Sequence, residues 1–354
     1  MNQTTQKLIA HAQKHPQLQA EDVFKYLFQS ALGCEHLVSN QAAALAYIKR
    51  EYETISQAGE PSVEPLDGEY SRVALSCLNA GLAPETLARL FCLSAKQEEN
   101  GRTFLEKKIE VANELIACEE LPIDKEEFAQ KLASWKAMGY PALHHSEAFR
   151  AHYKPAYRVI ANRYVEFLPL FTQIDKHLAK GETIVAIEGG SASGKSTLAS
   201  ILKEVYTCNV FHMDDFFLRP EQRTQERLLE VGGNIDHERF SWEILAPLAK
   251  NETVCYKPFD CAKQILGQSI TVPSNKLNII EGVYSMHPSF GEYYDLSVFL
   301  DITPAYQRER ITMRNSPVFA KRFFEEWIPL ENLYFSKNKI KERADMVLPI
   351  PMNV

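Results

Sequence analysis

Between residues 189 and 196 the chain reads Gly189-Gly190-Ser191-Ala192-Ser193-Gly194-Lys195-Ser196, which fits the spacing G-x-x-x-x-G-K-[ST]. Residue types in this order make a phosphate cradle. Glycines let the backbone turn tightly, so successive N–H groups converge on phosphate oxygens. Lys195 brings a point charge for β- and γ-phosphates, and the Ser196 hydroxyl suits Mg²⁺. An apolar run, Ile184 to Ile187, precedes the loop and an amphipathic pattern follows it. A helix starting near Lys195 adds the positive end of its dipole. Gly189 through Ser196, together with Thr197, are therefore the expected nucleotide-phosphate contacts.

Acidic residues lie where strand ends would bring them to the same place. The run Cys208 to Met213 ends in Asp214-Asp215-Phe216-Phe217, and the C-terminal ends of parallel strands face the ligand crevice. A carboxylate there can accept the proton of an attacking hydroxyl. Asp214 is the candidate; capping of the following segment is the other reading, and Asp215 is balanced between the two. Glu281 closes Lys276–Ile280 and precedes Gly282; it can hold a magnesium-bound water or orient Ser196 through one. Asp301 ends LSVFLD just before Thr303-Pro304 and reads as a helix cap. The stretch PAYQRERITMRN carries Arg308, Arg310 and Arg314, with Arg322 beyond it. Arg310 and Arg314 are the arginines expected to close over the phosphates and offset transition-state charge. A solvated helix face is the alternative.

These side chains need a scaffold, and the chain supplies one from about Gly181 onward. Short β-branched runs (TIVAI, CNVFHM, ETVCY, SITV, KLNII, LSVFL) alternate with helical patterns such as KSTLASILKEVY, ERFSWEILAPLAKN and PAYQRERITMRN. That alternation predicts a mostly parallel sheet covered by helices on both faces, an α/β domain over 179–354. Residues 1–178 read differently. AEDVFKYLFQSAL, QAAALAYIKREYETI, PETLARLFCLSAKQEE and GRTFLEKKIEVANELI carry apolar residues at three- and four-residue spacing. Pro84 and Pro122 mark a helix start and stop. The expectation is an all-α N-terminal domain of six to eight helices, with the boundary at HLAKGET.

Bulk properties narrow the classes. A chain of 354 residues suits two domains. The formal net charge of −7 gives no reason to expect a nucleic-acid partner. Seven scattered cysteines without a C-x-x-C pair suggest neither a disulfide framework nor a zinc site. No run of eighteen apolar residues predicts a membrane span, and the first residues lack a secretory apolar segment. A cytoplasmic protein without a membrane partner is expected; the oligomeric state is not legible.

Together the motifs resemble the uridine kinase family, within the P-loop nucleoside kinases related to phosphoribulokinase and pantothenate kinase. The resemblance covers most of Thr183 to Pro349: EGGSASGKST at the loop, MDDFF after the second strand, GGNIDHERF, YKPFD, IIEGVY, the arginine-bearing helix and KERADMVLP. It implies an α/β P-loop kinase domain that binds ATP and Mg²⁺ and phosphorylates a hydroxyl of a small metabolite. By the same resemblance Asp214 is the base and Lys195, Arg310 and Arg314 complete the catalytic set. Ser196 and Glu281 manage the metal. Asp236 grips sugar hydroxyls, and Phe259 and Asp260 stand beside the base. The run Phe259-Asp260-Cys261-Ala262-Lys263-Gln264-Ile265 lacks the family's following histidine and arginine. A nucleoside acceptor and a non-nucleoside one, such as glycerate or a pantothenate-like compound, both stay open. A nucleotide-dependent switch acting on a partner held by the helical half is the reading from another class.

The resemblance does not reach the N-terminal half. There His144 to Arg158 is rich in functional side chains, and Gly33-Cys34-Glu35-His36 interrupts an apolar helix. Metal or anion binding is one reading, with Arg150 and Arg158 receiving the anion. Packing of these residues at the interface with the kinase half is the preferred one.

Overall fold

A computed structural model describes residues 3–34, 40–55, 60–95 and 101–350, and the chain divides into two compact units, Met1–Asp175 and Lys176–Val354.

The first unit is mainly helical. Its helices are α1 (Gln3–Lys14), α2 (Ala20–Leu32), α3 (Gln41–Tyr52), α4 (Pro84–Leu93), α5 (Gly101–Ala117), α6 (Lys125–Ala137), α7 (Glu147–Tyr153), α8 (Asn162–Val165) and the start of α9 (Leu168–Leu178). Helix α2 is the spine: every residue except Glu21 and Lys25 is buried. Phe24 on it packs against Phe128 and Trp135 of α6, with ring centroids 4.8 and 5.0 Å apart. Pro84 occupies the first turn of α4, where a missing N–H costs nothing.

One feature corrects the all-α expectation. Three strands, β1 (Val63–Pro65), β2 (Tyr70–Ala74) and β3 (Tyr157–Ala161), form an antiparallel sheet in the order β1-β2-β3. Their sequences do not read as strands because the apolar alternation is broken. Pro65 ends β1, which is an edge strand and tolerates it. Arg72 in β2 is buried, with Nε donating to Gln29 Oε1 at 2.9 Å.

The second unit begins with β4 (Thr183–Gly189), α10 (Lys195–Val205) and β5 (Asn209–His212). Short helices α11 (Gln225–Leu229), α12 (His237–Phe240) and α13 (Ala246–Leu248) follow. Two antiparallel ribbons pair β6 (Val254–Tyr256) with β9 (Ile270–Val272) and β7 (Phe259–Asp260) with β8 (Ile265–Leu266). Then come β10 (Leu277–Glu281), β11 (Leu296–Ile302), α14 (Pro304–Arg314), α15 (Pro317–Arg322), α16 (Ile328–Asn338), α17 (Ile340–Arg343) and β12 (Met346–Ile350). The main sheet is parallel in the order β12-β11-β4-β10-β5, so the unit has the α/β P-loop architecture. Strand β10 is buried at all five positions, as a central parallel strand must be.

ETVCY and SITV are strands, as predicted, but they pair with each other outside this sheet. Each leaves residues exposed, and only a peripheral ribbon accommodates that. The tail strand β12 lies at the sheet edge, the place where a strand tolerates a proline such as Pro349.

Candidate active site

The loop between β4 and α10 carries positive φ at Gly189 (145°), Ala192 (62°) and Gly194 (100°). Glycine is required at the first of these. A Cβ on Gly189 would lie 2.7 Å from the Leu300 carbonyl oxygen, so the loop could not settle on β11. Ala192 is a non-glycine residue in the left-handed region, held there because its methyl is buried with Ile311, Ala320 and Phe323. Lys195 Nζ donates to the carbonyls of Gly189 and Gly190 at 2.8 and 3.0 Å, which places its charge under the loop. The Ser193 hydroxyl is buried without a hydrogen-bond partner among the described residues.

Two distant helices hold the loop's outer side. Glu331 of α16 accepts from Ser191 N at 2.8 Å and also from the Ser191 hydroxyl. Gln307 of α14 donates Nε2 to the Ser191 carbonyl at 2.8 Å. Burial raises the Glu331 carboxyl above its ordinary value against the pull of the Ser191 donors. Beneath the loop, Glu188 is fully buried and its carboxyl is pushed up to about 7, burial outweighing the Gly189 N–H, Lys195 and Tyr334.

The strand ends assemble the acids. The sheet register sets Glu281 of β10 level with Ile187 of β4 and His212 of β5. Ser196 Oγ donates to Glu281 Oε1 at 2.9 Å, and His212 Nδ1 is 2.6 Å from the same oxygen. Oε2 has no protein donor among the described residues. Burial would raise the Glu281 carboxyl, but His212, Lys195 and Ser196 together bring it below its ordinary value. His212 is raised correspondingly, first by its hydrogen bond to Glu281.

Asp214 lies in a 3-10 turn, Met213–Phe216, that has no side-chain cap, so the capping alternative does not describe it. Solvent reaches Asp214 through the cavity it lines, while protein atoms crowd its remaining sides. That desolvation raises its carboxyl; Lys195 opposes the rise and Glu281 adds to it. Asp215 turns away, accepting from the Tyr256 hydroxyl at 3.3 Å.

Loop, acids and arginines share one cavity of about 870 Å³, with Arg223, Arg310, Arg314 and Arg322 around it. Arg310 Nη1 lies 3.7 Å from where a Gly194 Cβ would be, directly over the loop. Among the described residues no three His, Cys, Asp or Glu side chains gather as a metal cage. The oxygen donors Ser196 and Glu281, with Asp214 on the same cavity, are nonetheless the hard set that Mg²⁺ takes beside phosphate and water.

The remaining expected residues lie elsewhere. Asp236 is buried and caps α12: Arg239 N donates to Oδ1 at 3.1 Å and Gln222 Nε2 to Oδ2 at 2.8 Å. Phe259 is buried in β7. Asp260 accepts from Ala262 N and Lys263 N, both at 3.0 Å, and pairs with Lys263 Nζ at 3.2 Å. The neighbours Cys261, Ala262 and Gln264 line the cavity instead. Asp301 pairs with Lys341 at 2.7 Å, and Thr303 is the cap of α14.

Sequence reasoning did not single out His212, Glu188, Gln307, Glu331 or Arg223. The strand-end rule that found Asp214 applies equally to His212. Nothing local marks Gln307 or Glu331.

In the first unit, His145 and Phe149 stack face to face at 4.2 Å, and His145 and Ser146 are tied to Asp22 of α2. These contacts lie within the segment's own unit. Cys34 is buried, its thiol pushed up to about 12 by burial; Glu35 and His36 lie outside the described residues. No described helix is long and apolar enough to cross a membrane.

No family model matches the chain. Among solved structures, a possible uridine kinase from Bacillus stearothermophilus is similar at 21% identity over 51% of this chain and 99% of that one, TM-score 0.39. A candidate fructose transport system kinase from Silicibacter sp. TM1040 matches at 25% identity over 48% of this chain and 90% of that one, TM-score 0.40. Shikimate kinase from Bacteroides thetaiotaomicron matches at 15% identity over 47% and 85%, TM-score 0.25.

Proposed function

We propose that the second unit is a small-molecule kinase that moves the γ-phosphoryl of ATP to a hydroxyl of a metabolite. The observation that carries this reading is the convergence of Lys195, Ser196, Glu281 and Asp214 on one arginine-lined cavity.

The loop fits a triphosphate. Its backbone turns leave Gly194 open beneath Arg310, with nothing closer than that guanidinium to a Cβ position there. Lys195 moves from the loop carbonyls to phosphate oxygens, exchanging two neutral acceptors for an anion. Ser196 and Glu281 would hold Mg²⁺, which would supply charge neutralisation at the nucleotide phosphates. Asp214 takes the proton of the acceptor hydroxyl as its oxygen attacks γ-phosphorus and the bond to the β-bridging oxygen breaks, releasing ADP. The raised Asp214 carboxyl makes it a stronger base than an exposed aspartate. Arg310 and Arg314 offset charge on the transferring group and keep water out.

A uridine-like nucleoside is the first candidate acceptor, by motif resemblance. A second reading has its own support. Asp236 and Asp260 are engaged by protein donors, and four arginines line the cavity. Of those arginines, Arg223 is the one neither assigned to the transferring group nor paired with Glu326, and it is the cation that an acidic non-nucleoside acceptor, such as glycerate or a pantothenate-like compound, would meet.

The test is ADP release with Mg·ATP across nucleosides and hydroxy acids, beside Asp214→Ala. Acceptor-dependent release lost in the variant is the expected result and identifies the acceptor class. If no acceptor stimulates release while ATP binds and Asp214→Ala changes nothing, the kinase reading fails and a nucleotide switch replaces it.

A further inference from the structure

We propose that the N-terminal unit carries a second ligand site, a cavity that binds a small organic phosphate through Arg158, Lys25, Arg150 and Lys154. The cavity measures about 1210 Å³ and is lined entirely by residues of that unit. Its size suits a ligand of roughly nucleotide or cofactor bulk.

Charge is the first argument. Those four cations line the cavity, and Glu51 is the one carboxylate among its described lining residues. An excess of three positive charges stands out in a chain whose net charge is −7. Arg150 and Lys154 are exposed at the rim and have no acidic partner among the described residues. Arg158 is only 6% exposed; Nη1 donates to the Tyr157 carbonyl at 2.8 Å. Its Nη2 lies 2.8 Å from Glu51 Oε2 but makes no hydrogen bond there. Lys25 Nζ donates to the Leu143 carbonyl at 2.7 Å, and burial followed by the Arg72 charge lowers its ammonium to about 8. One buried cation, one half-buried and two exposed ones thus line one cavity with Glu51 as their counter-charge, and a phosphate dianion complements that set better than a single carboxylate does.

The rest of the wall is fixed in advance. Asp22, fully buried, lies 2.8 Å from His145 Nδ1, and His145 Nε2 is 2.7 Å from the Tyr157 hydroxyl. Burial lowers the His145 imidazolium to about 4, so the ring is neutral. Its Nδ1–H then donates to Asp22, and Nε2 is the acceptor facing the Tyr157 hydroxyl. Tyr47, Phe91 and Tyr157 supply aromatic surface for the organic body. The Arg158 guanidinium lies over the first two rings, at 5.0 and 5.7 Å from their centroids.

The probe is phenyl phosphate, titrated calorimetrically into the full chain without nucleotide, beside benzoate and phenol. Phenyl phosphate is expected to bind, with Kd raised about tenfold or more by Arg158→Met and unchanged by Lys195→Met. Should Arg158→Met fail to fold, Arg150→Ala/Lys154→Ala changes only exposed side chains and is expected to weaken binding several-fold. The weakening should shrink as salt rises. No binding at millimolar probe overturns the proposal. So does binding removed by Lys195→Met, which would place the probe in the other unit's loop, or benzoate binding as tightly as phenyl phosphate.

Discussion

The Ser196 hydroxyl donates a 2.9 Å hydrogen bond to Glu281 Oε1 across a sequence separation of 85 residues, so the first turn of α10 and the end of β10 act as one device. His212 engages the same oxygen from β5, so two neighbouring strands and the helix that follows β4 meet at one carboxylate.

Glu281→Gln tests that device. The amide keeps the shape and loses the charge. Turnover is expected to fall about 10- to 100-fold and half-saturating Mg²⁺ to rise, while metal-free ATP binding holds. Kinetics against Mg²⁺ concentration read both effects, and an unchanged Mg²⁺ dependence would remove Glu281 from the metal site.

Glu188 predicts a pH dependence of stability. Its carboxyl titrates near 7 in the folded chain against an ordinary 4.5. Between those values the native state holds the proton that the unfolded chain has released. Stability contributed by this group is therefore complete below about pH 4.5, declines as pH rises toward 7, and is level above it. Glu188→Gln should gain on the parent chain by up to about 3 kcal/mol between pH 5 and 8. Urea titrations at unit pH steps give the difference; a constant gap would show that Glu188 does not titrate there.

At Ala192 the backbone, not the side chain, is under constraint. Ala192→Gly relieves the positive φ but empties a methyl-sized space beside Ile311 and Phe323, so stability should change by less than about 1 kcal/mol. Ala192→Val forces a branched residue into the left-handed region and should cost about 2 kcal/mol or more, with weaker nucleotide binding. Thermal melts with and without ATP distinguish the two.

Arg310 and Arg314 should matter more to rate than to binding. Each Met variant is expected to lower phosphoryl transfer about 100-fold while ATP affinity changes less than about tenfold. Equal losses in both quantities would assign these arginines to ground-state binding.

Legibility followed the range of the interactions. The phosphate loop is contiguous, so its residues announce themselves together. Asp214 and Glu281 were reachable because strand ends obey a general rule. Asp236 and Asp260 illustrate the limit: a matching motif position does not reveal which protein donors take the carboxylate. The N-terminal sheet was hidden because β2 and β3 are separated by four helices, α4 to α7, and because buried Arg72 reads as a surface residue. Its guanidinium meets Gln29, Glu64 and the rings of Tyr26 and Tyr157, none adjacent in sequence.

The clamp of Glu331 on Ser191, 140 residues downstream, makes the loop a late product of folding. As the chain leaves the ribosome, strand β4 and helix α10 emerge well before α14 and α16. Until those helices dock, Ser191 has neither Glu331 nor Gln307 to fix it, and long-range pairings of this kind form slowly. Competence to grip a phosphate thus arrives only once α16 has been made, which spares a nascent, half-built sheet from capturing nucleotide before its arginines are in place.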